Sequence, residues 1–356
     1  MVCTKMRILA VTNMYPTLQH STLGTFVEQQ IKGLRQIGLD VDVLVVDRAS
    51  KGMSTYWGLS QQLHARVVSF QPDIVHVMYG GVMADVITRA VKQRPVVVSF
   101  CGSDLLGAPL LGSLGKLMAS YGVLASYRAA RKASGIVVKS KNLQDALPDK
   151  VDMSRVRIIP NGIDLGRFRP LDRSSCRYQL GWHADRFHVL FISSTGDPRK
   201  RLDLAQAAVK ALNCLGTSAE LHQLSGIPHE EVPVWLNASD VVLLTSVHEG
   251  SPNIIKEALA CDVPVVSVDV GDVRERIEGV EGCYLALPES DDLAAKLSLV
   301  YTGPRRVIGR VKMQELSLEH VALRLKEFYE AVLVSHRTQK TISHGWKASH
   351  EATLWL

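Results

Sequence analysis

The chain has 356 residues, 46% apolar and 21% charged, which suits two domains of ordinary size that each bury a core. No apolar run reaches the ~20 residues that span a bilayer, and the six cysteines (Cys3, Cys101, Cys176, Cys214, Cys261, Cys283) include no C-x-x-C pair, so reduced, mostly buried thiols are expected rather than a zinc site or a disulfide framework. The net charge of +6 is uneven: residues 1–165 hold 19 Lys+Arg against 11 Asp+Glu (+8), and residues 166–356 hold 22 against 24 (−2). A basic first half suits an anionic acceptor or an anionic membrane surface, or serves solubility, whereas a nucleic-acid role lacks both interleaved aromatics and a motif.

The N-terminus, MVCTKMRILAVTNMYP, enters a strand at Arg7–Thr12 without a signal-peptide cleavage region, so a cytosolic protein is expected. Helical apolar spacing over residues 25–37 and a strand over residues 41–46 follow. Asp73–Met78, Pro95–Phe100, Gly135–Val138 and Val156–Ile159 continue the series of strands. Strands alternating with helices predict a doubly wound parallel α/β sheet with ligands at the carboxyl ends of its strands. The loop after the first strand, NMYPTLQHSTLGTF, lacks G-x-G-x-x-G, so a dinucleotide-binding reading loses its support. Gly24-Thr25 opens the next helix, where amides meet phosphate readily; a glycine that merely permits the turn is the competing reading. His76, mid-strand, reads as a hydrogen-bonded core histidine. Residues 110–134 mix Leu, Met and Tyr with Lys116, Arg128, Arg131 and Lys132: either an amphipathic membrane-surface helix or a core helix with a solvated face. Asn161-Gly162 predicts a tight turn.

The second half begins a new series with a strand at His188–Ser193, then Arg199-Lys200 before a helix starting near Asp203, and Leu224-Ser225-Gly226 after a short strand. Asn237-Ala238-Ser239 is a sequon that a cytosolic chain makes a chance match. The most informative stretch is 243–268, LLTSVHEGSPNIIKEALACDVPVVSV. It predicts a buried strand, a turn at His248-Glu249-Gly250, and a helix with Ser251 as N-cap and Pro252 as first residue. A second buried strand at Val263–Val268 follows. The free amides of Asn253 and Ile254 at the helix start suit phosphate or sugar oxygens. Glu249 precedes that end and Glu257 lies inside the helix; a turn glutamate and a solvated helix glutamate are the bland alternative. Residues 316–333 read as an amphipathic last helix and residues 336–356 as a loose tail.

Glu249, seven intervening residues, then Glu257-Ala258-Leu259-Ala260 and Val263-Pro264-Val265-Val266 resemble the E-x7-E signature of retaining GT-B glycosyltransferases of family 4. The resemblance covers about residues 7–333 and implies two Rossmann-like domains facing a cleft. These are 1–165, which takes the acceptor, and 166–335, which takes the nucleotide sugar, its last helix packing back on the first domain; 336–356 is the tail. It implies that Glu249 faces the transferred sugar and Glu257 the ribose. Gly24 and the amides of Gly250, Ser251, Asn253 and Ile254 serve the donor, and the Gly226 loop packs against its base. Arg155–Pro170 is similar to the segment leading into the interdomain linker, and Arg199-Lys200 to an R-K-G element that neutralises the leaving diphosphate. Arg201 replaces that glycine, and Ser194 stands where many relatives have an arginine. Cys101-Gly102-Ser103-Asp104 resembles an H-G-S-D segment with Cys101 in the histidine position; Asp104, Cys101 and Thr25 are the acceptor-side candidates. The implied activity is transfer of a sugar, with retention and without metal or other cofactor, from a nucleotide sugar to a glycan or lipid-linked acceptor in cell-surface polysaccharide assembly. That suits peripheral contact with an anionic membrane, and the branch resembled is that of teichuronic-acid and capsular enzymes. A nucleotide-sugar 2-epimerase of the same fold and a catalytically idle nucleotide-sugar-binding protein are the alternatives.

Overall fold

The computed structural model describes residues 5–17, 23–107, 112–192 and 197–352, with side chains described throughout except at 49, 51, 339, 340 and 342–352. Ser194, residues 110 and 111 and part of the first loop lie outside the described residues.

Two parallel sheets carry the molecule. The first contains β1 (Arg7–Thr12), β2 (Asp40–Val45), β3 (Ile74–Val77), β4 (Val96–Phe100), β5 (Gly135–Val138) and β6 (Val156–Ile158) in the order β2-β1-β3-β4-β5-β6. The second contains β7 (Phe187–Ile192), β8 (Ala219–Leu224), β9 (Val241–Leu244), β10 (Val265–Val268) and β11 (Tyr284–Ala286) in the order β11-β10-β9-β7-β8. Central strands such as Ile74–Val77 and Val241–Leu244 are buried at every position, which is why they read as unbroken apolar runs rather than as alternating ones. Strand order reverses around β1 in the first sheet and around β7 in the second. At such a point the two flanking connections cross to opposite faces and open a crevice beyond the carboxyl ends.

The last helix ties the halves together. It begins beside Ile163, whose backbone exchanges hydrogen bonds with Leu316 (2.8 Å) and Leu318 (3.1 Å), and it then lies against the helix Thr25–Gln36. Phe328 and Val332 close over Gly135 of β5. Tyr329 is fully buried and its hydroxyl meets His76 Nδ1 at 2.6 Å, while His76 Nε2 meets Ser99 Oγ at 2.8 Å. His76 is therefore a core histidine, and burial pushes its pKa down to about 3.

Two expectations change. The last helix runs from Leu318 to Ala352, through the residues read as a loose tail; they lack apolar periodicity, but no proline interrupts them. Asn161-Gly162 makes no turn, because Ile163 is drawn into a bridge with Ser317. Cys214 is exposed; among the described residues the other cysteines are buried or partly so and none forms a disulfide. The sequon side chain of Asn237 is fully buried, bonded to Arg169 O, Pro233 O and Leu171 N. No helix among the described residues is long and apolar enough to cross a membrane.

Candidate active site

A cleft of about 450 Å³ opens where the two sheets face each other. The first half lines it with Thr25 and Phe26 from the helix after β1, Cys101 after β4, and Asn161. The second half contributes Lys200 after β7, Gly226, Ile227 and His229 after β8, and Glu249, Ser251, Asn253, Ile254 and Glu257 after β9. The loops after β7 and β9 are neighbours because those strands are neighbours. They are also laced together: Thr245 Oγ1 donates to Lys200 O at 2.7 Å and Val247 N to Arg199 O at 2.8 Å. That lacing brings Lys200 Nζ to 2.5 Å from Glu249 Oε1, with both side chains about four-fifths buried.

Arg199 is placed differently from Lys200. Its guanidinium is held by Asp197, at 2.7 Å from NH2 and 3.0 Å from Nε, and it does not line the cleft. Asp197 raises its pKa further. Arg201 sits in the left-handed region, φ 55° and ψ 53°, a conformation a glycine adopts without strain, and this accounts for the glycine that the R-K-G element carries there.

The helix Asn253–Ala260 begins one residue later than the sequence suggests. Pro252 is the N-cap, and Ser251 Oγ donates to Asp272 Oδ2 at 2.9 Å instead of capping. Ser251 also accepts from Lys256 Nζ at 3.1 Å, and Lys256 reaches on to the carbonyl of Asn161 at 3.2 Å. Lys256 is fully buried, and burial pushes its pKa down to about 8. Asn253 Oδ1 accepts weakly from Asn161 Nδ2 at 3.4 Å. Gly250 does not line the cleft but fills a gap between the halves: a Cβ there would stand 2.2 Å from Cys101 O. Asn142 Nδ2 donates to Glu249 O at 3.0 Å, so the glutamate's loop is gripped from both domains.

Glu257 is buried to 7% exposure and its Oε1 lies 3.2 Å from His229 Nε2. Arg167 NH1 lies 2.9 Å from His229 Nδ1. Arginine only donates, so Nδ1 is the acceptor and the imidazole proton sits on Nε2, aimed at Glu257. That contact holds the carboxylate in one orientation. His229 was not legible in the sequence; its one signal is its place just after the glycine loop that follows β8. Asn161, read only as linker, lines the cleft with a buried Oδ1 that has no partner among the described residues.

On the acceptor side, Cys101 lines the cleft with its Sγ 3.9 Å from Met78 O. Burial pushes its pKa up to about 12, which keeps it a thiol rather than a nucleophile. Asp104 is buried and accepts from the backbone N–H groups of Gly80 (2.9 Å), Cys101 (3.0 Å) and Gly102 (2.8 Å). Burial raises its pKa, and these donors work against that. It shapes the turn and faces a second, largely apolar pocket of about 430 Å³ with Met53, Tyr56, Tyr79, Leu117, Met118 and Tyr121. Gly24 caps its helix in the left-handed region, φ 71°, and a Cβ would come within 2.4 Å of the Met14 backbone. It builds the turn and does not line the cleft; Thr25 beside it does.

Residues 23–167 match the sequence profile of Glycosyltransferase Family 4, and residues 184–302 that of Glycosyl transferases group 1. TuaC of Bacillus subtilis (strain 168), a protein named as a glycosyltransferase of teichuronic acid biosynthesis, is 25% identical across 96% of this chain and 98% of its own. Among solved structures, a sucrose-phosphate synthase of Thermosynechococcus elongatus superposes with a TM-score of 0.76 at 17% identity, over 93% of this chain and all of the other. Anabaena HepE, solved with UDP and glucose, superposes at 0.66 with 18% identity, over 92% of this chain and all of the other.

Proposed function

As a member of the glycosyltransferases of group 1 and family 4, with the GT-B fold, the chain transfers sugars, and we propose that it takes them from a nucleotide sugar to a glycan or lipid-linked acceptor. The setting we infer is cell-surface polysaccharide assembly, with residues 1–165 holding the acceptor, residues 166–335 the donor, retention at the anomeric carbon and no metal in the reaction. One observation carries this reading. The Lys200–Glu249 pair and the His229–Glu257 pair line one cleft, beside the start of the helix Asn253–Ala260.

In this reading the donor diphosphate takes Lys200 Nζ from Glu249 and lies on the amides of Asn253 and Ile254, where cation and helix end meet the charge that grows on departure. The bond from the anomeric carbon to the diphosphate oxygen breaks with its electron pair staying on that oxygen. The acceptor hydroxyl attacks the oxocarbenium-like carbon from the same face, and its proton passes to the leaving diphosphate. Glu249 holds the sugar, Glu257 accepts from the ribose hydroxyls with His229 fixing its orientation, and Asn161 Oδ1 offers one further acceptor. Anabaena HepE, a neighbour of this fold solved with UDP and glucose, makes UDP-sugars the first donors to try.

A lipid-linked acceptor at the inner face of a membrane is supported by the apolar pocket beside Asp104. Leu117, one of its walls, is 66% exposed, and Leu114 (72%) and Leu124 (53%) are exposed on the same helix. Patches of this kind mark contact with a partner or a membrane, and Lys116, Arg131 and Lys132 on the same helix suit anionic headgroups, whereas Arg128 is held by Asp85 at 3.0 Å.

The test is an assay of nucleoside diphosphate release from a panel of nucleotide sugars, with and without glycan or lipid-linked acceptors, followed by proton NMR of the product. Release that requires acceptor, with the anomeric configuration of the donor kept, is expected. Conversion of donor without acceptor means an epimerase; an inverted product removes retention; no turnover with any pair, alongside nucleotide binding, means an idle binder.

A further inference from the structure

At the far end of the second sheet from the cleft, on its edge, three polar side chains share one face. His188 of β7 pairs with Glu220 of edge strand β8, and His222 follows Glu220 by two residues, so all three point the same way. We propose that His188, His222 and Glu220 bind a divalent transition-metal ion.

The distances are those of a ligand set. His188 Nδ1 and His222 Nε2 are 2.8 Å apart, and Glu220 Oε2 lies 3.8 Å from the first and 3.9 Å from the second. A triangle with these sides has its centre about 2.1 Å from each corner, the length of metal–imidazole and metal–carboxylate bonds. An ion there meets the two nitrogens at about 85° and the carboxylate oxygen at about 134° and 141° from them, so ligand type rather than angle narrows the metal, and two imidazoles with one carboxylate suit zinc(II), nickel(II) or copper(II). Two imidazoles also disfavour magnesium and calcium, which prefer oxygen.

The surroundings aim the ligands. His188 is fully buried and its Nε2 donates to His183 O at 2.7 Å, which leaves the Nδ1 lone pair directed at the site. This is the usual outer contact of a metal-bound histidine. Trp182 stacks on His222 at 3.6 Å between centroids and 13° between planes, fixing that ring, and Trp235 stands edge-on against Trp182. Glu220 Oε1 faces Arg186 at 3.6 Å while Oε2 faces the imidazoles. Without metal, His222 Nε2–H donates to His188 Nδ1; on binding, the His222 proton shifts to Nδ1 and Nε2 coordinates. The Glu220 and His222 side chains are 35% and 17% exposed, so water completes the shell. The ion staples β7 to β8 some ~13 Å along β7 from the cleft, so it acts on stability and takes no part in the transfer.

The experiment is calorimetric titration of the tag-free, chelator-treated full chain with nickel(II), and separately zinc(II), with thermal unfolding at each end point. The expected result is one saturable nickel(II) site per chain that raises the unfolding temperature, with affinity at least tenfold lower in both His222→Gln and Glu220→Gln. Both variants keep wild-type nucleotide binding, which separates this site from the cleft and from the reading of its chemistry. No saturable site, or a site of equal affinity in both variants, overturns the proposal. Loss in His222→Gln with full retention in Glu220→Gln overturns the three-ligand site.

Discussion

Lys200→Ala is expected to lower kcat/KM for sugar transfer about 10²–10³-fold, the loss of roughly 3–4 kcal/mol that follows removal of one preorganised donor from a developing oxyanion. Lys200 is the one lysine or arginine among the described residues that line the cleft. It is held there by Thr245 on the carbonyl of its own residue and by Glu249 on its amine. Lys200 meets the diphosphate of the bound donor and meets it more strongly as charge grows on departure, so the loss is shared between a raised KM for the donor and a lowered kcat. Lys200→Arg restores part of it, since the charge returns without the same geometry. Arg199→Ala is expected to cost less than tenfold, because Asp197 already occupies that guanidinium. Steady-state kinetics with a thermal-unfolding control checks both, and a Lys200→Ala enzyme within threefold of wild type contradicts the assigned role.

Gly250→Ala is expected to damage stability and activity together. The new Cβ would sit 2.2 Å from Cys101 O and 3.0 Å from Leu143 Cδ1. The leucine can turn aside, but the carbonyl belongs to the backbone of the other half, so the two halves have to part. Overpacking of this sort costs about 1–3 kcal/mol. Glu249 is the adjacent residue, and its carbonyl bond to Asn142 spans the same junction. Displacement of a catalytic group by ~1 Å costs about 10²-fold in rate. A lower unfolding temperature with a hundredfold loss in kcat/KM is the expected result. A variant with both values unchanged shows that the working enzyme does not hold Gly250 against Cys101.

The strands were legible because parallel strands covered on both faces are continuous apolar runs: Ile74–Val77, Gly135–Val138 and Val241–Leu244 admit little else. Glu249, Glu257 and Lys200 were legible because a motif at fixed spacing pointed to them. Side chains that act through partners distant in sequence were not. His229 acquires its meaning from Arg167 and Glu257, and Asn161 from Lys256 and the cleft. Ser251 looked like a cap because serine before Pro-Asn is a cap signal; the fold delivers Asp272 to take its hydroxyl first. The His188–Glu220–His222 cluster was hidden for the same reason, since strand pairing, not spacing in one segment, brings His188 to the other two.

The central claim is that this cleft binds a nucleotide sugar through Lys200 and Glu257, and thermal unfolding with UDP, GDP, ADP and dTDP tests it most directly. One nucleotide at 100 times its dissociation constant should stabilise the wild-type chain by about 2.7 kcal/mol, and both Lys200→Ala and Glu257→Ala should remove that shift. No shift with any of the four, or a shift that survives both substitutions, contradicts a donor site in this cleft.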